Sequence, residues 1–232
     1  MSQNPSAFHW DGTTVKKTIK LGTLCDPIIV MANVPLEAEH VVVTDSVTEI
    51  SADVFHQHRQ LRSIHIPDSV STIGKLAFSP CCNLQSIEIP ASVTTIGYGV
   101  FDCCCSLQSI VVPASVTTIG EVAFQGCRSL QSIDIPASVI KIGYAAFRRC
   151  RSLQSIDIPA SVTTIGNYAF ESCSSLKSIG CPASVTTIGD AAFWGCSSLQ
   201  CCLILTSVLN VGSRAFEECI SIQYLRWFEP SA

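Results

Sequence analysis

Residues 130–152 read Leu130-Gln131-Ser132-Ile133-Asp134-Ile135-Pro136-Ala137-Ser138-Val139-Ile140-Lys141-Ile142-Gly143-Tyr144-Ala145-Ala146-Phe147-Arg148-Arg149-Cys150-Arg151-Ser152, and this stretch decides the fold because the chain repeats it every 23 residues. Leu130 belongs to a column of Leu61, Leu84, Leu107, Leu153, Leu176 and Leu199, continued by Ile222. Phe147 belongs to a column running from Phe55 to Phe216, Gly143 to one from Gly74 to Gly212, Pro136 to one from Pro67 to Pro182, and Cys150 to one from Cys81 to Cys219. A fixed period of this length marks a solenoid, in which each unit buries its apolar face only against its neighbours.

Each position in the unit has a physical reading. Leu130, Ile133 and Ile135 are apolar anchors, and the alternation over Ile133, Asp134 and Ile135 predicts a short strand with one face buried. Pro136, lacking an N–H, ends that strand, and its column does so at the same place in six of the eight coils. Val139 and Ile142 turn inward across a second side, and Gly143 supplies a corner where a Cβ would clash or where φ must be positive. The spacing of Ala146, Phe147 and Cys150 predicts a one- to two-turn helix or 3₁₀ segment with its apolar face on the core.

Eight units follow one another, the first degenerate: residues 38–60, 61–83, 84–106, 107–129, 130–152, 153–175, 176–198 and 199–221. The fold class is therefore an α/β solenoid with a parallel β-sheet on one face and short helical, 3₁₀ or extended segments on the others. Residues 1–37 lack the consensus but carry Phe8, Trp10 and the apolar run 27–31, and read as an N-terminal capping segment. Residues 222–232 supply a final strand, with Ile222, Leu225 and Trp227 in the Leu and Ile columns. Little chain follows to cover that coil, which leaves three readings of the C-terminal end: an exposed apolar end, a contact for a homodimer, or a truncated natural chain.

Composition narrows the function classes. With 47% hydrophobic residues in 232, a sizeable core is expected. Only 14% of residues are charged and the formal net charge is −4, so no basic field exists to hold nucleic acid or an anionic membrane. No basic segment followed by an apolar run opens the chain, and no apolar stretch is long enough to span a bilayer, which predicts a cytoplasmic protein. Of the 14 Cys, seven recur once per unit, an arrangement of repeat filler and not of a disulfide framework.

The phrases Ile135-Pro136-Ala137-Ser138-Val139, Ile142-Gly143 and Ala146-Phe147-x-x-Cys150 closely resemble the BspA-type (Treponema pallidum-type) leucine-rich repeat, over roughly residues 38–227. That resemblance implies a right-handed stack whose short strands form one parallel sheet, serving as a protein-binding surface. Some bacterial members are surface adhesins; this chain differs from them in showing no export signal or surface anchor.

Candidate sites lie where polar residues face outward or where one coil departs from the others. On the strand face stand two columns, from Arg62 to Gln223 and from His65 to Arg226, mostly Gln, with an acidic cluster at Glu88, Asp134 and Asp157. Beside the Phe column, Arg128, Arg148, Arg149 and Arg151 gather in neighbouring coils, and Trp194 stands where other coils have Asp102 or Glu171. Trp and Arg are the residues that anchor protein partners, and the competing reading is a basic spot balanced by Glu171, Glu217 and Glu218. Paired threonines, from Thr94-Thr95 to Thr186-Thr187, form an outward hydroxyl array of the sort ice-binding solenoids use, interrupted by Ile140 and Lys141. His56, His58 and Cys81 lie near one another but lack a four-ligand spacing, so neither metal nor any other cofactor is expected. No nucleophile elbow, phosphate loop or dinucleotide fingerprint occurs, and nearly every polar residue recurs by column, whereas catalysis needs unique residues in one place. The sequence thus predicts a non-enzymatic scaffold for a protein partner.

Overall fold

The computed structural model describes residues 18–21, 28–29, 34–205 and 207–228. Phe8, Trp10 and most of the apolar run 27–31, assigned above to the cap, lie outside the described residues.

Two rows of parallel strands run along the stack, one on each of two sides of the coil, the first divided into three hydrogen-bonded sheets and the second into two. Numbered along the chain, the first contains β1 (Thr18–Leu21), β3 (His40–Val43), β5 (Ser63–His65), β7 (Ser86–Glu88), β9 (Ser109–Val111), β12 (Ser155–Asp157), β14 (Ser178–Gly180), β16 (Cys201–Leu205) and β18 (Tyr224–Phe228). The second contains β2 (Ile28–Ile29), β4 (Glu49–Ile50), β6 (Thr72–Ile73), β8 (Thr95–Ile96), β10 (Thr118–Ile119), β11 (Lys141–Ile142), β13 (Thr164–Ile165), β15 (Thr187–Ile188) and β17 (Asn210–Val211). Register follows the repeat: Ile156 pairs with Ile179, Thr164 with Thr187 and Leu225 with Cys202. In the coil of residues 130–152 the first ladder narrows to a single bridge between Asp134 and Asp157. β1 and β2, inside the segment read as a cap, add a strand to each sheet, so the backbone there continues the stack although the consensus is absent.

The second sheet is an addition to the sequence reading, which had Val139 and Ile142 turning inward but no ladder. Each of its strands is only two residues long, yet the inward Ile is buried and the outward residue beside it is exposed or half-buried. Between the sheets the columns meet like with like. Leu107, Leu130 and Leu153 are fully buried, as are Phe124, Phe147 and Phe170. Eight Phe rings from Phe55 to Phe216 stack with centroids 5.1–5.4 Å apart and planes within 2–11° of parallel.

The third side corrects an expectation: no helix occurs among the described residues, and the segment around Phe147 is a run of turns. The amides of Ala145, Phe147 and Arg149 donate forward to the carbonyls of Asn167, Ala169 and Glu171 in the next coil, at 2.9, 2.8 and 2.7 Å. Those of Ala146, Arg148 and Cys150 donate back three residues, to Gly143, Ala145 and Phe147. A helix would need all of them for its own i−4 carbonyls. Alternate left-handed residues enforce the pattern, with Ala145 at φ 50° and Arg149 at φ 61°.

Such angles cost an L-residue about 1–2 kcal/mol. Gly126 and Gly195, in the column of Arg149, adopt φ 71° and 69° without that cost. Arg149→Gly should therefore raise stability by about 0.5–1 kcal/mol in urea unfolding; a loss of similar size would mean that the exposed guanidinium contributes more than the strain removes.

The corner glycine is explained by close approach and not by a positive φ. A Cβ on Gly143 would lie 2.6 Å from the carbonyl carbon of Gly120, inside the backbone of the preceding coil. Serines after the Pro-Ala pairs serve the same stacking: Ser138 and Ser161 Oγ donate to the Val116 and Val139 carbonyls one coil earlier, both at 2.5 Å.

Candidate functional site

The cysteine column is internal. Cys127, Cys150 and Cys173 are fully buried, and their thiols donate to the carbonyls of Phe101, Phe124 and Phe147, at 3.2, 3.1 and 3.1 Å. Burial pushes these thiols up, that of Cys173 to about 12. A thiol held protonated in an apolar column fills space and caps a carbonyl; it is a poor nucleophile and a poor metal ligand. His58, which begins the column, is fully buried against Phe55, with its ring nitrogens turned to the carbonyls of Val34 and His56 at 3.2 and 3.3 Å. Among the described residues no three His, Cys, Asp or Glu side chains are grouped to hold a metal ion.

The strand face carries Glu88, Asp134 and Asp157, all exposed. Asp134 and Asp157 are bridge partners, which sets two like charges side by side. Glu88 is two coils from Asp134, with Val111 (60% exposed) between them. The face is therefore an acidic pair and an isolated glutamate, with no aromatic side chain among them. On the second sheet the threonine array is broken at mid-stack by Lys141, and the Thr117 and Thr186 hydroxyls donate to carbonyls of the preceding coil.

The turn face is where the coils differ most. One outward column there runs His56, Ser79, Asp102, Gln125, Arg148, Glu171, Trp194 and Glu217. Its members pair along the stack: Gln125 donates to Asp102 at 3.2 Å, and Arg148 grips Glu171 through Nε–Oε2 at 2.7 Å and Nη2–Oε1 at 2.9 Å. Glu171 is 6% exposed and the Arg148 side chain 30%, so the ion pair, with its one hydrogen bond from Nη2, is partly shielded from solvent. Tyr168 lies beneath that guanidinium, its ring centroid 5.9 Å from Cζ, and meets Tyr144 edge-on at 5.5 Å.

Between these groups opens a cleft of about 270 Å³ lined by Arg148, Tyr168, Glu171, Asp190, Trp194 and Arg214. Asp190 is tied down by Ser213, whose amide and hydroxyl donate to Oδ1 at 2.7 and 3.0 Å, and Arg214 pairs with Glu217. Trp194 is half-buried, and its Nε1 is covered without a hydrogen-bond partner. Of the sequence candidates, the fold brings Arg148 and Trp194 together. Arg128 and Arg151 lie in a different column and Arg149 in a third, all three exposed. Sequence reasoning missed Tyr168, Asp190 and Arg214. The signal available for them was variability: Tyr168 and Arg214 share a column with Gly99, Val122 and Ala145.

Comparison with known proteins agrees with this architecture. The pattern described as "BspA type Leucine rich repeat region" matches in six copies, over residues 34–107 and 94–223. A leucine-rich repeat protein of T. pallidum is similar in structure, with a TM-score of 0.65 and 27% identity over 88% of this chain and 82% of that one. Another, from Eubacterium ventriosum, gives a TM-score of 0.54 and 25% identity over 82% of this chain and 45% of that one. No curated protein matches the chain. With the family pattern spanning most of the sequence and the columns stacked as that pattern requires, the chain belongs to the BspA-type leucine-rich-repeat family.

Proposed function

We propose that this chain is a non-enzymatic scaffold that binds a protein partner through the turn face around Trp194. The observation that carries the reading is the cleft itself. In a stack with a strand-face column that is mostly Gln and a second-side column that is mostly Thr, one place collects Trp194, Tyr168, Arg148 and Arg214 around a concave surface. Trp, Tyr and Arg dominate binding energy at protein interfaces, in desolvated pockets rimmed by polar groups. Arg148 and Asp190 are already held by Glu171 and Ser213, so a partner would lose little entropy in ordering them. The paired charges leave the cleft close to neutral, which favours a peptide or loop with mixed polarity over a strongly charged ligand.

Panning a random peptide library on the immobilised chain tests this. Recovered sequences should bind saturably and lose about 2 kcal/mol, about thirtyfold in Kd, with Trp194→Ala. Gln131→Ala, on the strand face, should leave them unchanged. Binders indifferent to Trp194→Ala and weakened by Gln131→Ala would move the binding surface to the strand face.

A further inference from the structure

Seven of the 14 cysteines stand outside the buried column, and two of them share a position in adjoining coils. Cys81 and Cys104 fill the core and donate to the Phe55 and Phe78 carbonyls, so the residues that follow them, Cys82 and Cys105, are not needed for packing. Both are half-buried and occupy the same position in adjoining coils. Their thiols point at one acceptor: Cys82 Sγ lies 3.8 Å and Cys105 Sγ 3.3 Å from the carbonyl oxygen of Cys103. The spacing of these two coils is measured by Phe78 and Phe101, whose rings are 5.4 Å apart. A disulfide spans Cα separations of about 4.4–6.8 Å, so neighbouring rungs of this ladder are within its reach. In the same column the adjoining coils carry Arg59 on one side and Arg128 on the other, while the later coils carry Ser174 and Ser197.

We propose that Cys82 and Cys105 form an inter-coil dithiol that reduces small aliphatic disulfides and closes into a disulfide bond, a modification site distinct from the Trp194 cleft. One thiolate of the pair attacks a sulfur of the small disulfide; that S–S bond breaks, and the departing small thiolate takes a proton from solvent. The other thiol, once deprotonated, attacks the cysteine sulfur of the mixed disulfide. The Cys82–Cys105 bond forms, the second small thiol leaves, and two electrons have passed from the pair to the small disulfide. The guanidinium of Arg128 favours the Cys105 thiolate, although burial and the neighbouring Cys82 thiol outweigh it and raise Cys105, so the exchange accelerates toward alkaline pH. Cys103 is the nearby competitor. Burial, and then the Asp102 carboxylate, push it up to about 11, which leaves very little of it as thiolate at neutral pH.

The experiment exposes the reduced, folded chain to oxidised glutathione, blocks remaining thiols by alkylation and maps the products by mass spectrometry. Cleavage after Glu88 separates Cys82 from Cys105, so their bond appears as a linked peptide pair that is two hydrogens lighter than the reduced peptides. The expected result is this pair as the principal product, forming about tenfold faster than any modification of the buried column thiols. Cys105→Ser, which installs the residue already present at Ser174 and Ser197, should abolish the link and leave glutathione on Cys82, with an unchanged circular dichroism spectrum. A link that contains Cys103 in place of either partner would overturn the assignment. So would the absence of any linked pair while dithiothreitol is oxidised in the same solution, or an equal loss of thiols in parent and Cys105→Ser.

Discussion

Phe147→Ala should cost the fold roughly 3–5 kcal/mol, while Gln131→Ala in the same coil should cost less than about 0.5 kcal/mol. Phe147 is fully buried and stacks on Phe124 on one side and Phe170 on the other, each at 5.3 Å and within 7° of parallel. Truncation removes the transfer energy of a whole ring and two ring–ring contacts, and it opens a cavity in a column whose backbone cannot collapse. The backbone is fixed because the Phe147 amide is bonded forward to Ala169, and the carbonyl beside it receives the Cys173 thiol. Among the described side chains Phe216 has a ring neighbour only at Phe193, and it is partly buried, so Phe216→Ala should cost less than half as much. In a stack with nearest-neighbour energetics, the mid-column lesion also weakens the coupling between the coils on either side. Urea unfolding of the three variants measures the difference. Equal midpoints for Phe147→Ala and Gln131→Ala would mean that the Phe column is not the core.

The stack was legible in the sequence because its cause is a column, and a column is visible as a period. Leu130, Phe147 and Cys150 recur at 23 residues because each must meet its own kind one coil away. The second sheet was not legible, since a two-residue strand such as Lys141–Ile142 offers no alternation to count. The turn run was misread as helical for a different reason. Spacings of one, three and four residues are common to a helical turn and to successive i→i+3 turns, and what separates them is the left-handed angle at Ala145 and Arg149. Neither residue type announces that angle; the clue lay in their columns, where Gly99, Gly126 and Gly195 replace them. At the candidate site, Arg128, Arg149 and Arg151 were joined to Arg148 by nearness in sequence, and the coil geometry sends them to separate columns. Arg148 and Trp194 lie 46 residues apart and meet because they share one column two coils apart.

The same cysteine column makes the fold vulnerable to alkali. Cys81, Cys104, Cys127, Cys150, Cys173 and Cys196 are fully buried, and burial raises each above its ordinary value of 9.0, with Cys173 at about 12. Below pH 9 these thiols are protonated in both folded and unfolded chains, and their contribution is present in full. As pH rises past 9 the unfolded chain releases protons that the folded chain retains, so stability falls until the folded thiols themselves ionise, which for Cys173 is near pH 12. Within that window each thiol costs about 1.4 kcal/mol per pH unit, and the six together cost on the order of 8 kcal/mol per pH unit. Since domains have about 5–15 kcal/mol in total, the stack should unfold within about two units above pH 9. Tyrosine and lysine titrate in the same range, so the diagnostic quantity is a difference between variants. Replacing Cys127, Cys150 and Cys173 by Ser, whose hydroxyl can still donate to the Phe carbonyls and does not ionise, should reduce the alkaline slope by about 4 kcal/mol per pH unit. A triple variant whose stability falls with pH as steeply as the parent's would show that the thiol column is not what alkali attacks.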